Sequence, residues 1–129
     1  MSRLESWLLH LSTIILFLTG AAYFWMKYLM PAEDPFSVVN HPWQPAMLKL
    51  HLLAAPFLVF ALGVIFHAHI AGKLHAGGNP RRRSGLASLW SFVPMVLSGC
   101  LLQVVSNPGI EKIALWLHWI SGSLFAVTY

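Results

Sequence analysis

Four apolar runs of about 20 residues each, separated by short polar turns, constrain this chain more than any other feature of it. A helix rises about 1.5 Å per residue, so each run is long enough to cross a hydrocarbon core of about 30 Å. Charge agrees with that reading: 9% of the 129 residues are charged, against about 25% in soluble domains, too few to solvate a globule of this size. The mean hydropathy of +0.67 points the same way. The pattern predicts an all-α integral membrane protein, a four-helix bundle running up-down-up-down. It forms a single domain over residues 1–129, with helices at about 7–30, 46–71, 86–105 and 110–129.

The net charge of +4 does not indicate nucleic acid, because the basic residues sit in short turns between apolar runs, where they act as topology signals. Alternating direction places Arg3, Lys73, Arg81, Arg82 and Arg83 on one side against Glu5. Lys27, Lys49 and Lys112 lie on the other, matched by Glu33, Asp34 and Glu111. The arginine-rich side is expected to be cytoplasmic, with the N-terminus there, in a bacterial inner membrane. Trp7, Trp25, Trp43, Trp90 and Trp116 fall near span ends, as an aromatic belt requires, and membrane lipid is an expected partner. Pro31, Pro35, Pro42 and Pro45 break the first connection; Pro45 suits the first position of the second helix, and Pro56 is expected to kink that helix. The single cysteine, Cys100, lies in an apolar run and excludes a disulfide framework, a Cys-x-x-Cys metal site and a c-type haem attachment. The first run is too long for a signal-peptide core and should be retained, and the fourth ends at Tyr129 without a polar tail, as if the chain continued. No internal repeat stands out.

Seven histidines in so apolar a chain are the candidate functional residues. Ionisable groups within membrane spans are costly and tend to be functional. His51 and His118 both enter from the acidic-loop side and lie at nearly matched depth, roughly 10 Å in, where they can face each other. His10 lies near the other face, as do His67 and His69. Two pairs at two depths suit bis-imidazole ligation of two iron porphyrins, with His51 and His118 as one pair and His10 and His69 as the other. About five whole turns separate His51 from His69, which puts both on one face and favours His69 over His67. Against His69, the separation along the helix is about 27 Å. Gly63 leaves room near His67 instead, and a residue beyond Tyr129 is a third option. Ala54 and Ala55, one turn from His51, and Ser121 and Gly122, one turn from His118, would leave room for a macrocycle. Met47 and Met95 are other conceivable axial ligands, although methionine in an apolar span usually fills space. A bland reading stands beside this one: an intramembrane histidine can simply hydrogen-bond across helices. His41 and His75 read as solvated, and Arg81 to Arg83 as lipid-headgroup contacts.

Four spans, His10 in the first, His51 early in the second, a basic turn, and Leu117-His118-Trp119-Ile120-Ser121-Gly122 near the start of the fourth resemble the prokaryotic di-haem cytochrome b superfamily. That superfamily includes the membrane subunits of formate dehydrogenases and nickel-iron hydrogenases. The resemblance covers nearly the whole chain and rests on histidine placement rather than a contiguous motif. It implies a b-type cytochrome carrying electrons between a quinone pool and a partner redox protein: an electron-transfer subunit of a larger membrane complex rather than an enzyme alone. Its cofactors would be two b haems, with a quinone as a further candidate. In the formate dehydrogenase type the fourth helix ligates both haems, and the second of those positions would fall just past Tyr129. No residue spacing identifies a quinone site; Glu33, Asp34, His41 and His75 are the remaining titratable groups. Two other classes compete. A haem-free anchoring subunit would be equally small and tryptophan-rich. A transporter would want a polar path, yet the third span holds little beyond Ser91, Ser98 and Gln103.

Overall fold

The first helix begins earlier than its apolar run, at Arg3, because Ser2 and Glu5 form a reciprocal cap. The Glu5 backbone N–H donates to Ser2 Oγ (3.2 Å), and the Ser2 N–H donates to a Glu5 carboxylate oxygen (2.8 Å). Two of the helix's orphan donors are thereby satisfied. The computed structural model describes residues 2–32, 34, 36–66 and 82–128, with only the backbone course given for 82–84. Helix α1 spans Arg3–Phe24 and runs on as a π-helical turn, Trp25–Leu29, before Met30 turns extended ahead of Pro31. Helix α2 spans Gln44–Ile65, with Pro45 at its second position where the sequence suggests the first, and continues through Pro56. Helix α3, Arg82–Val104, starts inside what the sequence suggests is the basic turn, and carries Pro94 internally. Helix α4 is Pro108–Thr128. Asn107 caps it: its side-chain oxygen accepts from the N–H groups of Gly109 (2.9 Å) and Ile110 (3.2 Å). The expected end of the second span, residues 66–71, lies almost wholly outside the described residues.

Among the described residues, the four α-helices form two antiparallel hairpins within two compact units, Met1–Gly77 and Gly78–Tyr129. In the first, α1 packs on α2, burying Leu9, Ser12, Thr13 and Leu16 of α1 and Leu58, Ala61 and Ile65 of α2. Asn40 closes this hairpin, its side-chain amide donating to the carbonyls of Lys27 (2.9 Å) and Met30 (3.1 Å) while its backbone N–H donates to Gln44 Oε1 (3.1 Å). Lys27 lies in the π turn and Met30 is its C-cap, where the helix runs out of donors of its own. In the second unit α3 packs on α4: Ser91, Ser98, Ala114, Ser121 and Phe125 are buried, Phe92 and Phe125 meet with ring centroids 5.6 Å apart, and Ser88 bonds Thr128 at 3.0 Å.

Most of the apolar surface faces outward. Leu53 is 69% exposed, Phe60 65%, Trp90 76% and Ile113 70%, a distribution suited to lipid and not to water. Among the described residues three helical stretches are long and apolar enough to cross a membrane: Arg3–Leu29, Gln44–Ile65 and Gly85–Val104. Helix α4 has a comparable length, but Glu111, Lys112, His118, Ser121 and Ser123 dilute its hydropathy. The fourth expected span is thus a helix with a more polar course. Span hydroxyls bond back to their own helix: Ser12 Oγ donates to Leu8 O (2.7 Å) and Thr128 Oγ1 to Leu124 O (2.7 Å). In lipid no water would satisfy them. Trp7, Trp25, Trp43, Trp90 and Trp116 are each more than half exposed, consistent with the expected belt. The all-α, four-helix architecture agrees with the expectation from sequence.

Candidate functional site

His51 sits early in α2 because Pro45 and the Asn40 closure start that helix a few residues before it. Its ring lies half-buried against α1. There Nδ1 is 3.0 Å from the Leu16 carbonyl oxygen and 3.3 Å from Thr19 Oγ1. A carbonyl can only accept, so the hydrogen bond assigns the hydrogen to Nδ1, and in the neutral form of the ring that leaves the lone pair on Nε2. The Thr19 hydroxyl donates to the carbonyls of Ile15 (2.7 Å) and Leu16 (3.2 Å), leaving its oxygen available as a second acceptor for the same Nδ1–H. The ring approaches so closely because position 20 is glycine. A Cβ there would lie 2.8 Å from His51 Cε1, 3.1 Å from Nδ1 and 3.6 Å from Nε2, so of the three ring atoms Nε2 is the farthest from position 20.

His118 in the second unit repeats this arrangement. Its Nδ1 lies 2.8 Å from the Met95 carbonyl oxygen and 3.4 Å from Ser98 Oγ, and the Ser98 hydroxyl donates back to Pro94 O (2.6 Å) and Met95 O (3.1 Å). A Cβ at Gly99 would lie 3.0 Å from His118 Cε1, 3.2 Å from Nδ1 and 4.0 Å from Nε2. The tautomer follows by the same logic. Thr19, Gly20, Ser98 and Gly99 are the site residues that sequence reasoning missed. The signal was present: Leu18-Thr19-Gly20 matches Leu97-Ser98-Gly99, and the Leu-x-Leu-His of Leu48 to His51 matches that of Leu115 to His118.

The remaining candidates are placed less closely. His10 stands on the exposed side of α1, away from the face formed by Leu9, Ser12, Thr13 and Leu16 that meets α2. Its expected partner His69 lies outside the described residues, as do His67, His75 and Glu33. Gly122 is not open space for a macrocycle: the Met95 thioether packs over it, with Sδ 3.7 Å from where a Cβ would stand. Ser121 is buried with its hydroxyl on the Leu117 carbonyl. Met95 therefore reads as packing, with its backbone carbonyl rather than its sulfur serving the site. A Cβ at Gly63 would meet nothing within 4 Å. Asp34 and His41 border one hollow of about 260 Å³ in the first connection, where His41 Nδ1 accepts from the Trp43 N–H (3.1 Å). Among the described residues no group of three or more His, Cys, Asp or Glu side chains is placed to hold a metal ion. An iron porphyrin needs at most one imidazole per face and is not tested by that criterion. The donor chemistry of His51 and His118, each with its lone pair on Nε2 and its other nitrogen fixed, fits an axial ligand.

Compared with known proteins, the chain matches no family model, no curated sequence and no solved structure. What it does must be read from the chemistry of these residues.

Proposed function

We propose that this chain is a b-type cytochrome subunit of a membrane redox complex, carrying electrons between a quinone pool and a partner redox protein. One observation carries the reading: two imidazoles within apolar helical hairpins, each with Nδ1 at hydrogen-bond distance from a backbone carbonyl of the neighbouring helix, which in a neutral ring leaves the lone pair on Nε2. A carbonyl partner on the far nitrogen raises ligand basicity and fixes ring orientation, the arrangement metal-ligating histidines adopt. His51 and His118 would hold haem iron through their imidazole nitrogens, and His10 with His69 would be the second set of ligands. When bound, a b haem supplies a one-electron ferrous–ferric couple. The residues themselves bind, orient and exclude water: outward-facing apolar side chains keep the surroundings of low dielectric, which together with the carbonyl bonds would tune the potential. The subunit lies in a bacterial inner membrane with its N-terminus cytoplasmic, on the basic-residue asymmetry.

A haem-free anchoring subunit is the second reading. It is favoured by the same hydrogen bonds, since a histidine bonded across a helical hairpin also serves as interhelical glue. Haem analysis of the purified chain and of His51→Ala and His118→Ala separates the two. Loss of b-type absorption in either variant, with the helical content retained, supports ligation. Full absorption in both would remove these residues from the ligand set.

A further inference from the structure

The two units correspond over more than their histidines. Aligning Gly20 with Gly99 also pairs Leu16 with Met95, whose carbonyls hold the rings, Thr19 with Ser98, and buried Ser12 with buried Ser91. Aligning His51 with His118 pairs buried Leu58 with buried Phe125. The hydroxyl pattern agrees in detail: Thr19 donates to the carbonyls of Ile15 and Leu16, and Ser98 to those of Pro94 and Met95. One helix of each hairpin thus provides a carbonyl, a hydroxyl one turn on and an adjacent glycine, while the other provides the imidazole. Independent packing of two unrelated hairpins has no reason to reproduce this set.

We propose that the two hairpins are copies of one imidazole cradle. Gly20 with Thr19, and Gly99 with Ser98, are its positioning residues, holding His51 and His118 as the Nδ1–H tautomer. The glycine sets the distance: at 2.8 Å a Cβ on residue 20 would force the ring off the Leu16 carbonyl, and at 3.0 Å one on residue 99 would displace its ring less. The hydroxyl, already committed as a donor to its own helix, offers only an acceptor toward Nδ1, so it supports the same tautomer as the carbonyl. A hydroxyl free to rotate would support either. The cradle rests on the proposed function only for its purpose, which is to leave Nε2 as the coordinating atom.

The test is nitrogen-15 NMR of the full chain labelled at histidine, purified in detergent micelles and kept reduced with dithionite, so that any low-spin ferrous haem is diamagnetic. His51 and His118 are assigned by the signals lost in His51→Gln and His118→Gln, and both are expected to give the Nδ1–H pattern. Gly20→Ala is expected to abolish that pattern for His51 alone, and Gly99→Ala to weaken it for His118 alone. Thr19→Ser should preserve the His51 Nδ1 resonance and Thr19→Val should shift it, a comparison that stands even where Gly20→Ala does not fold. An Nε2–H pattern at either histidine in the parent chain, or an unchanged His51 signal in both Gly20→Ala and Thr19→Val, would overturn the cradle. A chain that carries no haem yet gives the Nδ1–H patterns would uphold the cradle and count against the electron-transfer reading, so the two fail separately.

Discussion

At the scale of single residues, His51 and His118 differ from ordinary span residues in having one ring nitrogen committed to a main-chain carbonyl, at 3.0 and 2.8 Å. Replacing either with Ala should cost stability of about 1 kcal/mol from the lost interhelical bond, and should lower b-type absorption by the haem that this histidine holds, leaving the haem of the second set. His41→Ala, in the first connection, should leave the absorption intact; visible spectra of the three variants check this. Thr13 offers a different prediction. It is buried on the α1 face, and among the described residues its hydroxyl has no hydrogen-bond partner. Thr13→Val, which keeps the shape and removes the unpaired group, should raise stability by about 1 kcal/mol in a detergent unfolding series. A loss of stability would mean that the hydroxyl has a partner. The histidines were legible in the sequence because an ionisable group in an apolar run stands out. Gly20 and Gly99 were not, because glycine is common in membrane helices and acquires its meaning only when a ring from the next helix lies against it. Gly122 was misread for the same reason: whether small means empty depends on Met95, on the facing helix.

At the scale of elements, the helices were legible from length and hydropathy, while their ends were decided by caps and closures that hydropathy does not register. The Ser2–Glu5 reciprocal cap moves the start of α1 to Arg3, and Asn107 moves that of α4 to Pro108. The π turn at Trp25–Leu29 follows no apolar signal; it ends where Asn40 takes up the Lys27 and Met30 carbonyls. Lys27 lies over the rings of Tyr23 and Tyr28, 5.7 and 5.2 Å from their centroids, which holds this basic residue beside the aromatic end of the span. Asn40→Ala should therefore free both carbonyls, cost about 1 kcal/mol, and speed proteolytic cleavage within residues 31–43 relative to the parent chain. Unchanged cleavage would show that this closure is not held by Asn40.

At the scale of the whole molecule, the exposed apolar side chains suit a bilayer, and the uneven distribution of basic residues along the chain is the basis of the proposed orientation. The proposed orientation, with the arginine-rich side cytoplasmic, predicts that cysteines placed at Ser2 and at Ser106 in a Cys100→Ala background differ in labelling by an impermeant maleimide. In intact cells Ser106→Cys is expected to react and Ser2→Cys to react only after lysis; the reverse would invert the orientation. The all-α class followed from composition and run length, because lipid leaves few ways to satisfy a backbone. The cofactor does not follow so directly, since a histidine that ligates iron and one that joins two helices make the same bond through Nδ1. The most direct measurement is a dithionite-reduced minus oxidised visible spectrum of the purified chain, with pyridine haemochrome quantification of haem per polypeptide. A b-type spectrum of two haems per polypeptide is expected, with His51→Ala and His118→Ala each losing haem relative to the parent. A well-folded chain without visible absorption would contradict the electron-transfer reading and leave a haem-free membrane anchor.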